Sequence, residues 1–205
     1  MAEPLTAERD RLRIVPANEA SWDDLQAILT GPAHACQCER QRLGDHDWWH
    51  MPVSERAAIL RSEAHCGDPR AEATIGLVAY LDDEPVAWCA VDRRGVYGRL
   101  RGSPVPWKGR DEDKDDPSVW AIACVIVRKG FRGRGFTYSL VAAAVEHARA
   151  RGAASIEGYP MLTEGRQVIW DELNVGPLGP FLAAGFTEVS HPTKRRVVMR
   201  LPLAE

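Results

Sequence analysis

The chain holds 205 residues, 45% of them hydrophobic and 27% charged, which is enough apolar content for a folded core and too much for a disordered chain. Its 26 basic and 29 acidic residues leave a net charge of −3, which argues against a dedicated nucleic-acid binder. No apolar run approaches the roughly 20 residues that span a bilayer. Met1-Ala2-Glu3-Pro4 shows no secretory signal, and the cysteines at 36, 38, 66, 89 and 124 read as reduced thiols of a cytoplasmic protein.

In chain order, Leu12 to Val15 reads as a first strand stopped by Pro16. Ser21 is a good N-cap for a helix carrying Trp22, Leu25, Ile28 and Leu29, with Asp23 and Asp24 in its first turn. Gly31-Pro32 ends it, and a second helix begins at Ser54. The stretch between, 33–53, is rich in Cys, His and Trp and has no legible period. Thr74–Tyr80 and Pro85–Val91 form a hairpin signal around Asp82-Asp83. Residues 93–118 read as a long loop containing the acidic run Asp111 to Asp116. Trp120 to Val127 is almost wholly apolar, as in a strand covered on both faces. A helix follows Gly135 and runs to about Arg151, and Ser155–Tyr159 is another strand. Strand, helix and strand of these lengths predict a parallel pair joined by a right-handed crossover. A short helix over Leu178–Ala184 and a closing hairpin of Phe186–Val189 and Arg195–Leu201 complete the chain.

Between the apolar strand and its helix lies Arg128-Lys-Gly-Phe-Arg-Gly-Arg-Gly-Phe-Thr137. Glycines at the start of a helix leave amide hydrogens open to an anion, and Arg128, Lys129, Arg132 and Arg134 add positive charge. The chemistry this suits is a diphosphate; the plain alternative is a tight turn with solvated arginines. No Gly-Lys-Ser/Thr follows, so it is not a Walker loop, and Tyr138 breaks the Rossmann spacing. The pattern Arg132-Gly-Arg-Gly-Phe-Thr137 after Val125-Ile-Val127 resembles the acetyl-CoA-binding motif of the GNAT acetyltransferase superfamily, with Thr137 in place of the final Gly or Ala. Leu77 to Trp88 is similar to that family's central hairpin, and Pro180 to Phe186 to its late helix ending in Gly-Phe.

The resemblance implies one α/β domain over 1–205, a twisted and largely antiparallel sheet of about seven strands with one parallel splayed pair and helices on both faces. It implies acetyl-CoA as cosubstrate, with the backbone of Val125 and Val127 pairing the pantetheine arm. Amides from Gly133 through Arg134, Gly135 and Phe136 to Thr137 would cradle the pyrophosphate beside Arg132, and Arg128 or Arg134 would reach the ribose phosphate. The implied reaction is direct acetyl transfer to an amine of a small molecule or peptide, with a homodimer left open and neither nucleic acid nor membrane as partner. Two rivals are a non-catalytic acyl-CoA sensor or partner-binding module and a nucleotide-binding regulator. The irregular segments 31–53 and 93–118 fall on the acceptor side of such folds.

Many members of that family carry a Tyr general acid four residues before the Gly of Gly-Phe, and here the position is Phe181. Glu157 and Tyr159 lie two apart on a strand and share a face, so Glu157 is the candidate base and Tyr159 the candidate acid if that face lines the gap. Cys36-x-Cys38 with His34, His46 and His50 is tighter than ordinary zinc spacing, and no metal is expected. Cys124 reads as core and His147 as solvated. Trp48, Trp49, Trp107 and the five acids of the 111–116 run suggest an acceptor that is a cationic amine, against the plain alternative of core-edge indoles and a solvated loop.

Overall fold

The computed structural model describes residues 11–163 and 175–203. Among them, seven strands form one sheet: β1 (Leu12–Pro16), β2 (Leu77–Leu81), β3 (Glu84–Arg93), β4 (Val119–Val127), β5 (Ser155–Gly158), β6 (Thr187–Thr193) and β7 (Arg196–Pro202). Their order is β1-β2-β3-β4-β5-β7-β6, and β4 with β5 is the parallel pair amid antiparallel neighbours. This is the mixed α/β sheet that the sequence resemblance implies.

Alternation along the strands makes two cores, one on each face. Leu77, Ala79 and Leu81 point to the side covered by α6 (Phe136–Ala150), where Phe136, Leu140, Val141 and Ala144 are buried. Val78 and Tyr80 point the other way, onto Leu25 and Ile28 of α1 (Trp22–Ile28) and Leu60 of α4 (Val53–Ala64). Ser21 caps α1, its hydroxyl accepting from the Asp24 amide at 3.0 Å, as expected for that residue.

The two segments without a sequence period are built from short pieces. Residues 33–53 hold α2 (Pro32–Cys36), a 3-10 turn at Glu39–Gln41 and α3 (Asp45–His50). The buried Arg56 of α4 pins them, donating to the carbonyls of Ala35 at 2.6 Å and Trp48 at 2.5 Å. Residues 94–118 hold α5 (Gly98–Gly102) between 3-10 turns at Arg94–Val96 and Val105–Trp107. The last helix, α7 (Leu178–Ala183), buries Phe181, whose ring lies so close to Gly158 that a Cβ there would stand 2.1 Å from it.

Candidate acetyl-CoA site

β4 and β5 pair only from Val119↔Ser155 to Ile122↔Gly158. At that point Ala123 is the extra residue of a bulge against β3, since Ala90 pairs Cys124 while Val91 pairs Ile122. A bulge bends its strand, and here it turns β4 away from β5. From Cys124 to Val127 the strand has only β3 as a partner among the described residues, and these four residues are half-buried where a strand covered on both faces was expected. The result is an unpaired backbone edge opening toward residue 128, able to hydrogen-bond an extended amide-bearing chain as an added strand would.

Where the edge ends, Gly130, Gly133 and Gly135 take φ of 97°, 79° and 79°, conformations that side chains resist. A Cβ at Gly133 would meet nothing within 4 Å, so the approach is open. Among the described residues, the amides of Gly133, Gly135, Phe136 and Thr137 meet no hydrogen-bond acceptor, and they stand at the positive end of the 15-residue α6. The loop's arginines also shape it: Arg132 Nε donates to the Val127 carbonyl at 3.0 Å and Arg134 Nη2 to Gly130 at 3.1 Å. Arg128 Nη1 donates to Glu84 at 2.8 Å and to the Pro85 carbonyl at 3.2 Å. An open edge leading to open amides flanked by arginines fits an acyl-CoA, with a pantetheine arm on the edge and a diphosphate on the amides.

At the apex of the splay, beside the bulged Ala123, lies a cavity of about 540 Å³ bordered by Tyr159, Met161, Val175 and Leu100. Both irregular segments reach it, one through Arg40 and Gln41 and the other through residues 99–106. A family model described as the acetyltransferase (GNAT) family matches residues 39–158, more than half of the chain. The chain belongs to the GNAT acetyltransferase family. Solved structures with the same fold include a GCN5-related N-acetyltransferase from Kribbella flavida at 16% identity and TM-score 0.56, covering 95% of this chain and 99% of that one. Others are a putative phosphinothricin N-acetyltransferase (15% identity, TM-score 0.54, 95% and 99% covered) and a putative acetyltransferase from Salmonella typhimurium with its cofactor acetyl-CoA (15%, 0.51, 95% and 95%). Among curated proteins none matches the chain.

Within this GNAT fold, the residues singled out by sequence land unevenly. The Tyr159 hydroxyl donates to Glu157 Oε2 at 2.7 Å, so the two do share a face, and Tyr159 borders the cavity. Burial, then the charge and hydrogen bond of Glu157, push the Tyr159 pKa well above its ordinary value, and the phenol stays protonated. Glu157 itself is fully buried and does not border the cavity. Its Oε1 accepts from Arg94 Nη1 at 3.2 Å, from Arg200 Nε at 2.9 Å and from Arg110 Nη2. With three guanidiniums and the Tyr159 hydroxyl on its two oxygens and no face on the cavity, its geometry disfavours the base role and suits holding Tyr159 in place.

Phe181 has zero exposure and packs edge-on against Phe186, with ring centroids 5.2 Å apart. Cys124 is half-buried on the open edge rather than sealed in the core, its sulfur 3.3 Å from that of Cys38. His147, expected in solvent, is buried edge-on to Trp120, and burial, with Arg151 beside it, lowers its pKa to about 4. None of the five acids at 111–116 borders the cavity. Glu112 pairs with Arg94, Arg110 and Arg200, Asp115 with Arg101, and the Asp116 carboxylate accepts from Ser118, so this run braces its own segment rather than an acceptor. Trp107 is likewise buried, ringed by Arg94, Arg110 and Lys114. Sequence reasoning missed the arginines bordering the cavity, Arg40, Arg99, Arg195 and Arg196, because three segments remote from one another supply them.

Proposed function

We propose that this chain is an N-acetyltransferase moving an acetyl group from acetyl-CoA to a primary amine of a small molecule or peptide, by direct attack within a ternary complex. The observation that carries the reading is the parting of β4 from β5 after Ile122, with open amides at one end of the exposed edge and a cavity at the other. Acetyl-CoA supplies an activated thioester carbonyl; the chain's part is to bind, orient and manage protons. The backbone of Val125 and Val127 holds the pantetheine arm. Amides from Gly133 to Thr137 take the pyrophosphate, with Arg132 alongside and Arg128 or Arg134 at the ribose phosphate.

The amine nitrogen forms the new bond to the acetyl carbon as the carbon–sulfur bond breaks, and the sulfur leaves with the electron pair. Tyr159, a phenol held protonated at the cavity wall and positioned by Glu157, turns its one hydroxyl hydrogen from Glu157 Oε2 to the departing sulfur as charge builds there. The proton shed by the nitrogen on becoming an amide passes through solvent to the thiolate, giving the CoA thiol. We read 1–205 as one acetyltransferase domain, with the segments 31–53 and 93–118 forming its acceptor side. Cytoplasmic placement follows from the cysteine usage.

The test is binding and turnover together. Gly135→Val would place a branched side chain at φ 79° in the phosphate cradle and should weaken CoA binding at least tenfold by calorimetry, about 1.4 kcal/mol. A thermal melt of the variant separates loss of the cradle from loss of the fold. Thiol release from acetyl-CoA over a panel of amines reports the enzyme itself. Unchanged CoA affinity in a folded Gly135→Val protein would remove the loop from the cofactor site, and CoA binding without thiol release from any amine would make the chain a sensor.

A further inference from the structure

Three of the five cysteines gather where the irregular segment 33–53 meets the open edge of β4. Cys36 closes α2, Cys38 lies two residues on, and Cys124 is the first residue of β4 beyond the bulge. The Cys38 thiol donates to the Cys124 sulfur at 3.3 Å and accepts from the Trp88 indole nitrogen at 3.1 Å, so it is held from two sides. All three are free thiols. The chain bends hard to bring them there. Gln37 and Cys38 are consecutive non-glycine residues in the left-handed region, with φ of 48° and 57°. Such backbone is strained, and it persists because its surroundings hold it. Gln37 is fully buried, its backbone amide donating to the Ala33 carbonyl at 2.8 Å and its side chain exchanging hydrogen bonds with Gln26 at 2.9 and 3.2 Å. Packing alone does not call for a sulfur facing a sulfur at this point; what the pair adds is the capacity to join.

The two sulfurs differ in access. Cys38 is buried, whereas Cys124 is half-buried on an edge that has only β3 as a partner among the described residues. The hydrogen bond to Cys124, then burial, hold the Cys38 pKa well above its ordinary value, so Cys38 keeps its proton. Burial likewise lifts the Cys36 thiol to about 11. Cys124 is therefore the sulfur that a small oxidant reaches, with Cys38 beside it to complete the reaction. We propose that Cys38 and Cys124 form a reversible disulfide driven by a peroxide, and that this bond switches the acceptor side of the cavity. As thiolate, Cys124 attacks an oxygen of hydrogen peroxide. The O–O bond breaks, the departing hydroxide leaves as water with the proton that Cys124 gave up, and Cys124 becomes a sulfenic acid. The Cys38 sulfur then attacks the Cys124 sulfur, the S–O bond breaks, and the departing hydroxide takes the Cys38 proton as a second water. The pair of thiols loses two electrons, and the peroxide is reduced to two waters. A disulfide holds its sulfurs about 2.05 Å apart, so bonding draws the two roughly 1.3 Å closer than they stand. Arg40 and Gln41, just beyond Cys38, border the cavity and move with that turn. The bond also ties the turn to β4 across 86 positions of sequence.

The experiment treats the full chain with hydrogen peroxide or with a phosphine reductant. Peptide mass mapping without reduction should show Cys38 joined to Cys124 with the loss of two hydrogens, and the free-thiol count should fall by two from five. Closing a loop of this length should raise the melting temperature by about 5 °C or more, and the reductant should reverse the rise. With an accepted amine, followed by loss of the thioester absorbance of acetyl-CoA, oxidation should lower kcat/KM for the amine about tenfold, and reduction should restore it. Cys38→Ser and Cys124→Ser should each abolish the link and both of its effects, and Cys36→Ser should keep them. Because Cys38 is buried, Cys124→Ser decides the matter if Cys38→Ser does not fold. Oxidation that stops at Cys124 without a link, a link through Cys36 instead, or a linked protein with unchanged kcat/KM on an accepted amine would overturn the proposal. The bearing on the amine rests on the acetyl-transfer reading above. A link that forms and raises the melting temperature in a chain that turns over no amine would uphold the disulfide and count against that reading, so the two fail separately.

Discussion

In the proposed reaction Tyr159 would carry the chemistry that Phe181 cannot, and its surroundings limit what it can do. A phenol whose pKa is driven well above its ordinary value by burial and a neighbouring carboxylate holds its proton through the whole working range. The raised pKa means that the protonated form is complete below it and is lost only as pH climbs past it. Tyr159 therefore contributes no alkaline limb to a rate profile below about pH 10. Tyr159→Phe keeps the ring on the cavity wall and deletes only the hydrogen bond. It should lower kcat by about tenfold or more with little change in the KM for acetyl-CoA, and leave the shape of the pH profile intact. A kcat equal to that of the parent on an accepted amine would remove the hydroxyl from the reaction.

Among the elements, those with a period were legible in the sequence and those without one were not. The buried β4, the stripe on α6, the hairpin of β2 and β3 and the closing strands all announce themselves by spacing, because a face that packs on a sheet must repeat. The stretch from α2 to α3 has no such face. Buried guanidiniums hold it instead: Arg56 on two carbonyls, and Arg42 paired with Glu63 at 2.7 Å beneath the Tyr97 ring. Contacts of that kind join residues far apart in the chain, and no local pattern encodes them. The same holds for His147, drawn into the core by Trp120. Beside Arg42 sits Glu39, fully buried, with neither carboxylate oxygen hydrogen-bonded among the described residues. Burial, reinforced by Glu63 and only partly offset by Arg42, raises its pKa to about 8. A folded-state pKa above the unfolded one means stability that is complete below pH 4.5 and is lost as pH rises through 8. Glu39→Gln keeps the shape and removes the titration. Its melting temperature should exceed that of the parent by about 5 °C at pH 9, on the order of 2 kcal/mol, and the gap should close toward pH 4.5. A gap that does not vary with pH would place the stabilising change elsewhere.

Across the whole molecule, one buried ion cluster ties the irregular half of the chain to the sheet. Glu157 of β5 faces Arg200 of β7 in register, Arg94 enters from the end of β3, and Arg110 and Glu112 enter from the 94–118 segment. The cluster thus joins β5 and β7 to the segment that forms one side of the cavity. Burial alone would raise the pKa of Glu112, but hydrogen bonds from Arg200, Arg94 and Arg110 outweigh it and bring the value down to about 2. Its contribution is therefore present above the unfolded carboxylate range and fades as pH falls toward 2. Surface pairs such as Arg11 with Asp82, both more than half exposed, contribute little by comparison. Glu157→Gln would leave three guanidiniums, those of Arg94 and Arg110 almost wholly buried, around the one carboxylate of Glu112. It should cost about 3–5 kcal/mol in urea unfolding, and added salt should recover little of it, since the charges are buried. Glu112→Gln, at a partly exposed position, should cost less and should flatten the loss of stability between pH 4.5 and 2. The 94–118 segment should loosen before the sheet, so in Glu157→Gln the amides of 94–118 should exchange hydrogen faster while those of β2 and β3 hold their protection. Equal protection in both regions, or an unfolding free energy unchanged from the parent, would show that the apolar contacts of Trp107 and Leu100 hold the segment without the cluster.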